Sequence, residues 1–219
     1  AYPAAAFVRF CDNHGLLKVS GRPQWRTVTG GSRNYVEKLS APFRDRIRVS
    51  TPIRRIERRT DGVTLIDHRG ERHAFDHVVI ATHADTALAM LAEPSAAEAE
   101  TLGAFRYALN EAVLHTDPNL MPIRRGAWSS WNYLANREGP KNALSVTYWM
   151  NKLQGIDPKK PVFVSLNPVT DIPDERVIRR ASYEHPMFTQ ETLEAQKKLW
   201  SLQGVGGLWF CGAHFGAGF

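Results

Sequence analysis

Residues 47–83, IRVSTPIRRIERRTDGVTLIDHRGERHAFDHVVIATH, constrain the fold of this chain more than any other stretch. Runs rich in β-branched residues alternate with turn dipeptides at Asp61-Gly62 and Arg69-Gly70, a pattern that predicts a three-stranded meander. The final run, VVIAT at 78–82, is apolar throughout. A strand without polar alternation is expected to lie centrally, buried on both faces. The segment after it, ADTALAML from Ala84 to Leu91, has helical composition, and residues 95–106 suggest a further helix.

On the N-terminal side, residues 4–13 carry Phe7, Phe10 and Cys11 at helical spacing, with Gly15 available to end the helix. Gly30-Gly31-Ser32 then opens a second helix, with Ser32 as N-cap, Tyr35, Val36 and Leu39 along one face, and Pro42 as terminator. Beyond 106 the pattern turns to strands at 108–115, 127–134, 143–150, 161–166 and 177–183, separated by turns rich in Pro, Gly and Asn. A helix over 190–202 leads to the apolar run Leu208-Trp209-Phe210-Cys211 and a turn built on Gly212, Gly216 and Gly218. The class is α+β. A chain that leaves one domain, builds another and returns has an inserted architecture.

With 43% apolar residues in 219, the chain can bury a substantial core. No apolar run approaches the roughly 18–20 residues of a membrane span. Cys11 and Cys211, both in apolar surroundings, suit buried thiols in a reducing compartment, the cytoplasm by default. The net charge of +6 is concentrated in seven arginines at 44, 46, 48, 54, 55, 58 and 59. A nucleic-acid surface interleaves stacking rings with its cations, and the aromatic residues here lie elsewhere, so the run is expected to be a solvated strand face rather than a nucleic-acid site.

The helix opened by Gly30-Gly31-Ser32, the meander, VVIAT and the closing LWFCGAHFGAGF, in this order, resemble the amine-oxidase-like flavoproteins: flavin monoamine oxidases, protoporphyrinogen oxidases and phytoene desaturases. The similarity is nearest to a bacterial group of predicted NAD/FAD-binding proteins. It is strong over 13–39, 47–83 and 208–219 and loose in the middle. The resemblance implies FAD as cofactor. It places Gly30 and Gly31 at the start of the cofactor-contacting helix, Ile53 against the adenine end, Ala81 and Thr82 against the dinucleotide, His83 in a loop near it, and Gly212 and Ala213 against flavin and pyrophosphate. Glycine at 212 suits this, since a missing β-carbon lets backbone amide approach phosphate oxygen.

The resemblance also divides the chain into an N-terminal helix and connector (1–30), a partial FAD-binding domain with the meander (31–92), an inserted substrate domain with an antiparallel or mixed sheet and flanking helices (93–202), and a return strand (203–219). The family's GxGxxG turn, which holds the FAD diphosphate, occurs nowhere in these 219 residues. The chain is therefore expected to be part of a longer flavoenzyme, to hold FAD weakly, to be inactive by itself, and to self-associate through the apolar face of residues 78–81.

The implied activity is oxidation of a C–N or C–C bond in a small-molecule or lipid-like substrate. The competing readings are a basic, non-enzymatic binding module and a cofactor-less assembly domain with a flavoprotein fold. Trp128, Trp131, Tyr133 and Trp149 are candidates to line an apolar substrate pocket, with strand packing as the alternative. His115 and Asp117 could form an acid–base pair, although a strand-end His before a turn-forming Asp is ordinary, and no catalytic residue is assigned. No metal site is expected: the eight histidines show no paired ligand spacing with cysteine.

Overall fold

The computed structural model describes residues 3–216 apart from Arg22, Trp25 and residues 136–143. Gly218, expected in the closing turn, lies outside the described residues. The elements run α1 (Ala4–Asn13), α2 (Arg33–Ser40), β1 (Ile53–Arg59), β2 (Gly62–Asp67), β3 (Arg72–Phe75), β4 (Val78–Ile80), α3 (Ala84–Met90) and α4 (Ala96–Gly103). They continue with β5 (Arg106–His115), β6 (Trp131–Ala135), β7 (Leu144–Trp149), α5 (Met150–Gln154), β8 (Phe163–Leu166), β9 (Val177–Met187), α6 (Gln190–Lys198) and β10 (Leu208–Phe210).

The chain forms two compact units: residues 1–24, 46–108 and 185–219 make the first, and residues 25–45 and 109–184 the second. The first contains the meander, β1-β2-β3, and a separate parallel pair, β10-β4. Asp61-Gly62 makes the first turn because Gly62 sits at φ +143°, where a β-carbon would stand 2.5 Å from the Phe75 carbonyl oxygen. β1 pairs antiparallel with β2, and its register slips by one residue between Ile53 and Arg55. That bulge re-phases the strand: Ile53 and Ile56, three residues apart, pack into the same apolar cluster, while Arg54 and Arg55 are both exposed. The cluster also takes in Val63, Ile80, Leu102, Leu199 and Phe210, so meander, parallel pair and helices share one core.

α4 is anchored through its cap. Ser95 and Glu98 form a reciprocal capping box, and Glu98 Oε1 also accepts from Arg58 Nη2 of β1. Arg58 Nη1 donates to the Glu93 carbonyl at 3.0 Å, so one arginine of the run ties sheet to helix.

The second unit is built on a five-stranded sheet in the order β6-β7-β8-β5-β9, in which β6–β7, β7–β8 and β8–β5 pair antiparallel. α2 belongs to this unit. The helix forms where expected, but Ser32 has helical backbone angles and makes no capping bond with its side chain. Tyr35, Val36 and Leu39 are exposed, and the chain continues past Pro42 as a 3-10 turn over Ala41–Arg46. In the first unit α1 likewise buries only Ala6 and Cys11 and leaves Phe7 exposed.

Two further expectations are corrected. β4 is not buried on both faces: Ile80 is buried but Val79 is 64% exposed. The thiols differ as well: Cys11 is buried and Cys211 exposed, because Leu208 and Phe210 take the inward positions of β10. Among the described residues, no helix is long and apolar enough to cross a membrane.

Candidate functional site

β4 and β10 run parallel with Val78 opposite Leu208, Val79 opposite Trp209 and Ile80 opposite Phe210. The Cys211 amide donates to the Ile80 carbonyl at 3.0 Å and carries the pairing one residue further. The segments Ala81-Thr82 and Gly212-Ala213 therefore leave the sheet side by side, at the carboxyl ends of parallel strands, where open α/β sheets receive ligands. Gly212 lies at φ +146°. A β-carbon there would stand 3.1 Å from His214 Cε1, 3.2 Å from its Nδ1 and 3.4 Å from the Thr82 carbonyl oxygen. Glycine suits both this backbone angle and the close approach of the His214 ring.

The surroundings are held by named contacts. His83 stacks on Tyr107 with ring centroids 4.2 Å apart, and Tyr107 Oη accepts the Ala84 amide at 2.8 Å. From α6, Gln196 Nε2 donates to the carbonyls of His214 and Gly216 at 3.0 and 2.6 Å, which pins the glycine turn to the helix. His214 is 2% exposed and lies against Phe105 and Phe215. Burial, and after it the proximity of His83, push its pKa below the ordinary histidine value, so the ring is neutral near pH 7. Its Nε2 is buried with no hydrogen-bond partner among the described residues.

Of the expected cofactor residues, the structure brings Ile53, Ala81, Thr82, Gly212 and Ala213 into the first unit, with Ile53 half-buried against the cluster that holds Ile80 and Phe210. Gly30 and Gly31 belong to the second unit. They have φ +81° and +86°; a β-carbon on Gly30 would collide with Asn34 Nδ2 at 2.5 Å, while Gly31 faces open space. Consecutive left-handed residues explain the Gly-Gly pair.

The four aromatic residues expected to line one pocket do not form one group. Trp131 pairs with Tyr148 and Trp149 with Phe163, and strand alternation sends Trp131 and Tyr133 to one face of the sheet and Trp149 to the other. Trp128 packs edge-on against Trp149 and Phe163, at centroid distances of 5.3 and 5.7 Å. Its indole N–H donates to the Pro122 carbonyl at 2.8 Å. These two tryptophans are packing residues, while Trp131 and Tyr133 are exposed.

His115 is fully buried and both its nitrogens are engaged: Nε2 lies 2.8 Å from Ser165 Oγ, and Nδ1 accepts the Asp117 amide at 3.1 Å. Nδ1 is thus the acceptor, and Nε2–H donates to Ser165, whose hydroxyl meets Thr147 Oγ1 at 2.7 Å. Asp117 Oδ1 accepts from the Asn119 amide and so caps a 3-10 turn. The arrangement binds strands together; His115 is not placed to serve as a base with Asp117 as its orienting carboxylate.

The arginine run is partly neutralised. Arg55 and Arg72 pair with Glu57, and Arg58 pairs with Glu98. Among the described residues one group, Asp67, Glu71 and His73, brings potential metal-ligand atoms within 4.8 Å of one another. Burial opposes the charge of Asp67, yet amide bonds from Arg69 and Glu71, together with His73, outweigh it and hold its pKa below the usual value. Those bonds form the β2–β3 turn, and Arg48 Nη1 lies 3.3 Å from His73 Nδ1. The cluster is a turn clasp beside a cation.

Sequence reasoning missed His214. The run GAHFGAG offered a histidine among glycines, but its burial and unpartnered nitrogen arise only from tertiary packing.

The sequence matches the family described as flavin containing amine oxidoreductase over residues 5–159, and the chain belongs to that family. No curated protein matches it. Solved structures with the same fold include cyclohexylamine oxidase from Brevibacterium oxydans IH-35A, at 15% identity and TM-score 0.60, covering 86% of this chain and 49% of that one. A fatty acid isomerase from P. acnes that produces CLA matches at 15% identity and TM-score 0.59, with 83% and 47% coverage. Putrescine oxidase bound to putrescine matches at 12% identity and TM-score 0.59, with 87% and 49% coverage. The chain spans about half the length of these structures.

Proposed function

We propose that this chain serves an FAD-dependent oxidoreductase that oxidises a C–N or C–C bond in a small-molecule or lipid-like substrate, and that the ends of β4 and β10 hold part of the dinucleotide. The observation that carries this reading is the turn at Gly212, whose φ of +146° disfavours any side chain and where a β-carbon would crowd the His214 ring beside the Thr82 carbonyl. Family membership supports FAD as its occupant. Relatives named for cyclohexylamine and putrescine favour a C–N bond, and the fatty acid isomerase keeps a lipid-like substrate within the reading.

Bound FAD would supply the two-electron acceptor, and the protein's part is to bind, orient and exclude water. Ala81, Thr82, Gly212 and Ala213 offer backbone to the dinucleotide at the strand ends, and Ile53 offers apolar contact at its adenine end. Within the second unit, taken by itself, Gly31 presents open backbone, whereas Gly30 packs against Asn34. Trp131 and Tyr133, exposed on one sheet face, suit an apolar substrate.

No GxGxxG occurs in the 219 residues, so the diphosphate lacks its usual glycine-turn amides and binding is weak. Titration of the purified chain with FAD, followed by desalting, tests both parts. Saturable binding lost on desalting is expected. No saturable binding would overturn the flavin reading, and stoichiometric retention would overturn the weak-binding one.

A further inference from the structure

We propose that Gln196 of α6 is a positioning residue for the strand-end site: by holding the carbonyls of His214 and Gly216, its side-chain amide sets the glycine turn in the shape that receives a ligand where β4 and β10 end. The identity of that ligand as FAD rests on the flavin reading above; the assignment of Gln196 rests on the hydrogen bonds of the turn.

The turn has little backbone bonding of its own. It is a single 3-10 turn, Ala213–Phe215, closed by the Phe215 amide on the Gly212 carbonyl at 3.1 Å and the Gly216 amide on the Ala213 carbonyl at 3.3 Å. Bonds of the 3-10 type have poorer geometry than α-helical ones, and the flanking glycines, Gly212 and Gly216, have more backbone freedom to lose. A side chain from another element supplies what the turn lacks. Gln196 Nε2 carries two N–H donors and no charge, and it reaches the His214 and Gly216 carbonyls at 3.0 and 2.6 Å. Its support is firm: a Thr189–Thr192 capping box closes the start of α6, and Ala195 and Leu199 on either side belong to the main apolar cluster.

The same stretch of chain also holds the strand that leads into the turn. Gln203 Oε1 accepts the Phe210 amide at 2.9 Å, and the Gly204 amide donates to the Leu208 carbonyl at 2.7 Å. Both bonds lie on the edge of β10 turned away from β4, since the Cys211 amide, one residue on, points to Ile80. Residues 196–204 thus carry β10 and its turn together, and of the two glutamines Gln196 is the one that bonds beyond the strand. Gly212 at the start of the turn is exposed and Ala213 half-buried, so both can meet a ligand. A turn ordered on folding leaves less ordering to be done on binding, which is how preorganisation raises affinity.

The test uses the intact 219-residue chain with FAD as probe, comparing wild type, Gln196→Leu, Gln196→Glu and Thr192→Val, each titrated well below its own ligand-free Tm. Gln196→Leu loses both donors and is expected to weaken FAD binding about tenfold. Gln196→Glu sets a carboxylate against two carbonyls, and once protonated offers them an O–H donor. Its affinity relative to wild type is therefore expected to recover as pH is lowered from about 8 to about 5.5. Thr192→Val removes the capping bonds of the same helix and is expected to lower Tm while leaving the affinity unchanged.

FAD binding by Gln196→Leu at wild-type affinity would overturn the proposal while leaving the flavin site standing, and a lowered Tm beside it would assign Gln196 to stability alone. Equal weakening by Thr192→Val would also overturn it, since affinity would then follow the stability of α6 rather than the turn. A Gln196→Glu affinity in constant ratio to wild type at every pH would overturn the donor role. Absence of saturable binding by wild type would overturn both readings. Should Gln196→Leu fail to fold, spectra of wild type decide: the Gln196 side-chain amide is expected to shift in step with the Gly212 and Ala213 amides as FAD is added, and one that stays fixed while they move overturns the coupling.

Discussion

His115 and His214 make the stability of this chain depend on pH. In each, burial is the main cause of a pKa below the ordinary histidine value; the Asp117 charge opposes the shift at His115, and His83 reinforces it at His214. In the unfolded chain both take up protons near pH 6.5, so between that value and their folded pKa values the unfolded state binds more protons. Their stabilisation is complete above about pH 6.5 and is lost as pH falls below it. Denaturant midpoints are expected to drop between pH 7.5 and 5.5, with a smaller drop in His115→Phe or His214→Phe. Gly212 adds a second residue-level prediction. Alanine there meets both a disfavoured backbone conformation and the His214 ring, so Gly212→Ala is expected to lower stability by about 1–3 kcal/mol and to weaken FAD binding, read by thermal unfolding and titration. The glycine was legible in the sequence because a turn after an apolar strand demands it. The unpartnered state of His214 was not, because it depends on residues as distant as Phe105.

The elements that were legible owe it to local chemistry. Asp61-Gly62 and Arg69-Gly70 fix the meander's turns, and Ser95 with Glu98 caps α4 by a local exchange of bonds. The failures come where partners decide. Ile53 and Ile56 face one core only because a bulge inserts Arg54, and nothing in IRRIERR announces the slip. The apolar run of β4 suggested burial on both faces, but its one sheet partner leaves Val79 and Trp209 outward. Within β6, alternation already placed Trp131 with Tyr133; the separation of Trp149 from them required the β6–β7 register. Glu98 is where element coupling is concentrated, since it closes the cap of α4 and holds Arg58 of β1 while nearly fully buried. Glu98→Gln leaves the Arg58 charge without its partner and is expected to cost about 3 kcal/mol, measurable by chemical denaturation, whereas neutralising the exposed Glu194 of the Lys197 pair should cost under about 1 kcal/mol.

At the scale of the molecule, the chain passes into its second unit twice, over residues 25–45 and again over 109–184, and returns to the first each time. Residues 25–45 group with the second unit, whereas the sequence reading assigned 31–45 to the first; a short helix with no buried residue carries no signal of its tertiary partner. Val79 and Trp209, paired across β4 and β10 and 64% and 42% exposed, form an apolar spot on a two-stranded sheet. Concentration-dependent self-association is expected by sedimentation velocity, and Val79→Lys is expected to reduce it. The central claim is that a dinucleotide binds where these strands end. Amide chemical-shift mapping of the chain during FAD titration tests it most directly: the largest saturable shifts are predicted at Thr82, Gly212, Ala213 and His214, and saturable shifts confined to the arginines of β1, or none at all, would contradict it.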